Sequence, residues 1–162
     1  MLIGIDPGLN GGIAWMKGDD LIETCIMPVN EKNIDLRALY LKLNRWTIDR
    51  AFVEKVHAMP GQGVSSMFKF GWGLGAIEAT LTCLCIPYTL THSSVWTRHI
   101  HKGIDAENSK QKSAIAAAQL YPAHNFLKSA RSRKPHDGMI DAALIAKHGS
   151  FLIKSLGIVC PE

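Results

Sequence analysis

Four acidic residues in this chain sit where a negative charge is expensive. Asp6 ends the apolar run Leu2-Ile3-Gly4-Ile5 and is followed at once by Pro7-Gly8. Glu54 stands within Ala51-Phe52-Val53-Glu54-Lys55-Val56. Asp137 and Asp141 are four apart, ahead of Ala142, Ala143, Leu144, Ile145 and Ala146, so on a helix they share one face. A charge in apolar surroundings needs a partner. Carboxylates held close repel one another, and cations between them relieve the repulsion. Mg²⁺ takes oxygen ligands and keeps several waters, so clustered carboxylates suit it. Two such ions can activate a water and stabilise the leaving oxygen in phosphodiester cleavage. Each acid also has a plainer reading. Asp6 before Pro7-Gly8 suits an Asx-type turn, Glu54 suits the solvent face of an alternating strand, and Asp137 suits the first turn of a helix. It is the coincidence of four that carries the metal-site reading.

The elements that must position these acids follow from periodicity. Residues 2–5, 13–16 and 21–29 read as three strands joined by short turns, an antiparallel meander, with Asn10-Gly11 as a turn signal. Leu36, Leu39, Tyr40, Leu43 and Trp46 recur at helical spacing. Residues 51–56 read as a strand, 57–66 as a loop rich in glycine and short polar residues, and the chain roughly from Ser65 to Cys85 as a helix rich in small residues. A strand is expected over 86–92, mostly irregular chain over 95–108, and an alanine-rich helix over 110–120 that Tyr121-Pro122 stops. A polar, basic connection over 123–134 leads to a last helix over 137–152. The pattern predicts an α/β domain spanning 1–162, with a mixed five-stranded sheet and helices on both faces. Ligand sites in open α/β sheets lie at the carboxyl ends of parallel strands, where Asp6 stands.

Composition narrows the function classes. The chain has 162 residues, is 47% hydrophobic and carries a formal charge of +4, enough for one core and compatible with a nucleic-acid partner. No apolar run approaches the ~20 residues of a membrane span, and no secretory signal is visible. Cys25, Cys83, Cys85 and Cys160 lack C-x-x-C spacing. They read as reduced, mostly buried thiols of a cytoplasmic protein. A zinc site on Cys83 and Cys85 lacks two further ligands at metal spacing.

Three stretches, "IGIDPGLNGGIA", "AFVEKV" and "HDGMIDAALIA", resemble the RuvC-like Holliday junction resolvases of the ribonuclease H-like superfamily, in their short, phage-associated form. "GIDPG" alone also resembles actin-like ATPases, but those need a second, duplicated domain. The three acidic motifs in order are more specific, and the resemblance extends to the Trp96 segment and to "SKQKSAIAAAQLYP". It implies a homodimeric endonuclease that nicks four-way DNA junctions symmetrically, with two Mg²⁺ ions per site and Mn²⁺ as a substitute. It implies Asp6, Glu54 and Asp141 as catalytic metal ligands. Bacterial resolvases usually place an acid or a histidine three residues before the last aspartate, where this chain has Gly138. Asp137, one residue earlier and on the same helical face, is the expected fourth ligand, with His136 as its substitute. The family also places an aromatic wedge for the junction centre just after the glutamate. Here His57 takes that place, with Met59 nearby and Phe68 and Phe70 further on.

Phosphates need cations. Lys110 and Lys112 open the alanine-rich helix, and Lys128, Arg131, Arg133 and Lys134 precede the acidic one. Arg131 and Arg133 are two apart and point the same way if the segment is extended. Any one of these cations alone reads as a solvated surface charge; the cluster of four just before the acidic helix carries the phosphate-binding reading. The expectation is a structure-selective DNA endonuclease acting on branched DNA in a bacterial or phage-infected cell. An RNA–DNA hybrid nuclease with the same site, or a non-catalytic DNA-binding scaffold, are the competing readings.

Overall fold

Alternation along the first strands assigns their side chains to two faces. In β1 (Leu2–Asp6) and β2 (Gly12–Lys17), Ile3, Ile5, Ile13 and Trp15 enter one core, and Ala14 and Met16 enter the other. The sheet continues with β3 (Asp20–Ile26). A two-stranded ribbon follows, β4 (Val29–Asn30) and β5 (Asn33–Ile34), and then α1 (Leu36–Leu43), β6 (Arg50–Lys55), α2 (Val64–Cys83), β7 (Tyr88–His92), α3 (Ser93–Ile100), α4 (Ser109–Leu120) and α5 (Asp137–Leu156). The computed structural model describes residues 1–56, 61 and 63–157. The main sheet has the order β3-β2-β1-β6-β7. β1 runs antiparallel to β2 and parallel to β6, and β6 runs parallel to β7. This is the mixed sheet that the sequence predicts.

One face packs on α1 and α2 through Leu39, Leu43, Ile77 and Leu81, and the other on α3, α4 and α5. Helix α5 is the central one. Ala142, Ala143, Leu144, Ile145 and Ala146 are fully buried, as expected of a helix apolar on every side. It can lie on the sheet because Gly4 has no side chain: a Cβ there would run into the Ala142 carbonyl and the Ala146 nitrogen. Gly12 and Gly138 meet in the same way, backbone against backbone. Asp6 is two residues beyond Gly4 and Glu54 two beyond Phe52, so both acids project from the face that α5 covers.

The structure departs from the sequence expectations in four places. The stretch read as irregular begins with α3, whose Trp96 and Ile100 turn inward at i, i+4 spacing. Its Ser, Thr and His residues are weak helix formers, so packing rather than propensity makes this helix. The third strand stops at Ile26 and the chain re-pairs as the β4–β5 ribbon. Glu31 supplies the left-handed turn residue there at φ 54°. The last helix runs four residues further, to Leu156. Cys83 and Cys85 are exposed rather than buried, because α2 ends in a turn in which Cys85 takes φ 54°. Among the described residues no helix is long and apolar enough to cross a membrane.

Candidate active site

β1 ends at Asp6, β6 carries Glu54 one residue before its end, and α5 presents Asp141 one turn into the helix. Parallel pairing of β1 with β6 brings the first two to the same end of the sheet. Burial raises the Asp6 carboxyl well above its ordinary pKa, and the charges of Asp141 and Glu54 raise it further. Burial likewise lifts Asp141 to about 6; Glu54 and Asp137 push the same way, while a hydrogen bond from Ser113 and the charge of Lys110 oppose it. The three acids therefore lie within electrostatic reach of one another, in a setting that disfavours their joint ionisation.

Asp137 is placed differently. It is exposed and pairs with Lys110, Nζ to Oδ2 at 2.9 Å. His136, the residue before α5, accepts Met139 N–H and Ile140 N–H at its carbonyl. Its ring Nδ1 is buried without a hydrogen-bond partner, and burial lowers its pKa, which favours the neutral ring that binds metals. Gly138 has no room for a ligand, since a Cβ there would overlap the Asn10 carbonyl. This gives the departure at position 138 a physical cause: helix α5 sits too close to the β1–β2 turn for any side chain.

Asp6, Asp137 and Asp141 line an open groove of about 840 Å³. Pro7 to Gly11 form one wall, Pro135 to Gly138 another, and Ser66, Lys69, Phe70, Trp72 and Gly73 of α2 a third. Lys110 and Lys134, both expected from the sequence, reach the groove, as do Lys32 of the ribbon turn and Lys69. Lys69 stands between Phe68 and Phe70, and that interleaving of a cation with aromatics was its signal in the sequence. Lys32 had none, because the ribbon that presents it went unread. Phe70 faces the groove against Gly8, whereas Phe68 is exposed on the outer side of α2. Lys128 lies near His136 and Lys112 near His101. Arg131 and Arg133 are not part of the groove wall. Arg131 falls in a turn closed by Ser132 N–H to Ser129 O at 3.0 Å, so the two arginines do not share an extended segment. His57 and Met59 lie outside the described residues.

The donor set consists of carboxylate oxygens, hard ligands that suit Mg²⁺ or Mn²⁺. Among the described residues no three His, Cys, Asp or Glu side chains are set to hold one ion between them. Mg²⁺ does not need such a cage: it binds through one or two carboxylates together with waters and substrate phosphates, and the oxygen chemistry of these acids suits it. The set does not fit zinc at Cys83 and Cys85, which have no companion ligands among the described residues.

The fold has counterparts among solved structures. The chain superimposes on Thermus thermophilus RuvC in complex with a Holliday junction substrate, with a TM-score of 0.70, 19% identity, and 99% of this chain and 98% of that chain covered. The yeast mitochondrial Holliday junction resolvase Ydc2 gives 0.60 at 12% identity over 92% of this chain and 77% of that chain. Fowlpox virus resolvase, solved with Holliday junction DNA, gives 0.53 at 16% identity over 89% and 96%. No protein-family model and no curated protein matches the sequence. At these identities the likeness is one of fold: this chain has the fold of RuvC and the other Holliday junction resolvases.

Proposed function

We propose that this chain, built on the resolvase fold, is a metal-dependent, structure-selective endonuclease that cuts four-way DNA junctions by paired symmetric nicks. The observation that carries this reading is the gathering of Asp6, Glu54 and Asp141 at one end of the sheet, Asp6 and Asp141 on a groove lined with lysines. Asp6, Glu54 and Asp141 would hold divalent cations, and Asp137 is the proposed fourth acid. Two bound ions would polarise the scissile phosphate, activate a water and stabilise the leaving oxygen. The chain's own residues do the rest. Lys32, Lys69, Lys110 and Lys134 draw the phosphate backbone into the groove. Phe70 and Trp72 offer aromatic faces on which an unstacked base at a junction centre can rest. Lys112, Lys128, Arg131 and Arg133 lie outside the groove wall and would hold the duplex arms.

His136 has a specific claim to the fourth place, because its buried Nδ1 has no partner while Asp137 is already paired with Lys110. Paired nicking needs two sites, and α2 offers a face for a second copy. Val64, Phe68, Gly71, Gly75 and Ala79 are exposed along one side of it, and nothing lies within 4 Å of where a Cβ on Gly71 or Gly75 would stand. Small residues of this kind let two helices approach closely.

Cleavage and binding by Asp6→Asn separate this reading from a DNA-binding scaffold. The variant should lose junction cleavage in Mg²⁺ while binding the junction as wild type does. Near-normal cleavage would remove Asp6 from the reaction and the proposal with it.

A further inference from the structure

Behind the acids lies a second layer of polar side chains that no motif or spacing in the chain groups together. The Trp96 indole is almost wholly buried, and a buried indole N–H needs an acceptor. Its Nε1–H donates to Glu54 Oε2 at 2.9 Å. Trp15, buried just as deeply, has no partner for the same atom, so this contact is not a general feature of the indoles here. One helix along, Ser113 is buried among Ala116 and Ala117 of α4. A hydroxyl there is conspicuous in an otherwise apolar face. Its Oγ lies 3.1 Å from His101 Nε2, and as a hydrogen-bond donor its hydroxyl holds the Asp141 pKa down against the effect of burial. An ionised carboxylate only accepts, so when Asp141 is ionised Ser113 donates toward it and is left to accept from a His101 ring that carries its proton on Nε2. The two branches touch, because the Trp96 and His101 rings meet edge to face with centroids 5.9 Å apart and planes at 77°.

We infer that Trp96 and the His101–Ser113 pair are positioning residues, which hold the Glu54 and Asp141 carboxylates in the orientation that binds metal. A carboxylate has about four acceptor sites. One donor on the rear oxygen fixes the plane of the group. Partners of this kind, one shell behind the ligating atoms, orient a site and raise its affinity. The device also accounts for α3, a short helix of weak helix formers whose one buried residue is Trp96. The inference rests on the reading of Glu54 and Asp141 as metal-binding acids.

Nitrogen-labelled, metal-free protein tests it with Mg²⁺ alone as the ligand. Trp96→Phe identifies the Trp96 indole N–H resonance by its disappearance, and Glu54→Gln should displace that resonance in an otherwise unchanged spectrum. Mg²⁺ titration of wild type should move the same resonance. Trp96→Phe and Ser113→Ala should each weaken Mg²⁺ binding by about 10–100-fold, with thermal midpoints within a few degrees of wild type. Ser113→Thr, which keeps the hydroxyl, should restore most of the affinity. If wild type binds Mg²⁺ and cuts junctions while both variants bind Mg²⁺ equally well, the positioning role is wrong and the nuclease reading stands. If wild type neither binds Mg²⁺ at these acids nor cleaves, both are wrong.

Discussion

Asp6 shows how far a single residue can be stressed by its place. Burial and the neighbouring carboxylates make its proton harder to remove in the folded chain, and Asp141 is lifted from 3.8 to about 6 for the same reasons. For an acid whose folded pKa is raised, ionisation opposes folding. Its stabilising share is intact below the unfolded pKa and is lost as pH rises through the folded one. Without metal, these two acids should therefore weaken the fold as pH climbs from about 4 to above 6. Asp6→Asn removes one of the interacting charges. Its melting midpoint in a chelating buffer should exceed wild type by a few degrees near pH 7 and by little near pH 4. An equal difference at both pH values would mean that the carboxylates do not interact. The neighbouring question is which of His136 and Asp137 would serve beside Asp141 in the proposed metal site. If Asp137 does, Asp137→Ala should lose most cleavage activity and His136→Ala less. The opposite ranking in a single-turnover cleavage assay would assign the place to His136, whose Nδ1 lacks a partner.

At the scale of elements, the acids meet only because α5 lies directly on β1 and β2. Gly4 and the Gly12–Gly138 contact permit that approach. Gly4→Ala would force a methyl into the backbone of α5. Overpacking of this kind costs ~1–3 kcal/mol or more, and neither backbone has a flexible end to yield. The melting midpoint should fall by about 5 °C or more, and cleavage should fall with it because Asp141 moves with the helix. An unchanged midpoint would show that α5 sits further from the sheet. Much of this level was legible in the sequence. β1 and β6 announced themselves by apolar runs that end at or enclose a carboxylate, β2 by the apolar run Ile13 to Met16 after a turn signal, and α5 by an unbroken apolar stretch. α3 did not, since its residues favour no helix in isolation and Trp96 finds its place only against α5 and Glu54. The β4–β5 ribbon was hidden because Glu31 gives no sign of a left-handed turn, and Lys32 was hidden with it. Asp6, Glu54 and Asp141 could be read as a group because each breaks an apolar pattern. Ser113 and His101 could not, being ordinary polar residues until the fold sets them behind Asp141.

At the scale of the whole molecule, symmetric nicking needs two copies, and the exposed side of α2 is the proposed contact. Gly75→Glu tests that face. In an exposed helix interior the exchange favours the helix by up to ~1 kcal/mol, so the fold should hold while the charge separates the copies. Sedimentation should show a dimer for wild type and a monomer for the variant, and a dimer in both would place the contact elsewhere. The central claim concerns what the assembled site cuts. The most direct measurement presents wild-type protein with a synthetic four-way junction, a linear duplex of matching sequence and an RNA–DNA hybrid, each with Mg²⁺ and with chelator. The account predicts paired, symmetric nicks in the junction in Mg²⁺, none in chelator, and little or no cutting of the other two substrates. Cleavage of the hybrid in preference to the junction, or junction cleavage that persists in chelator, would contradict it.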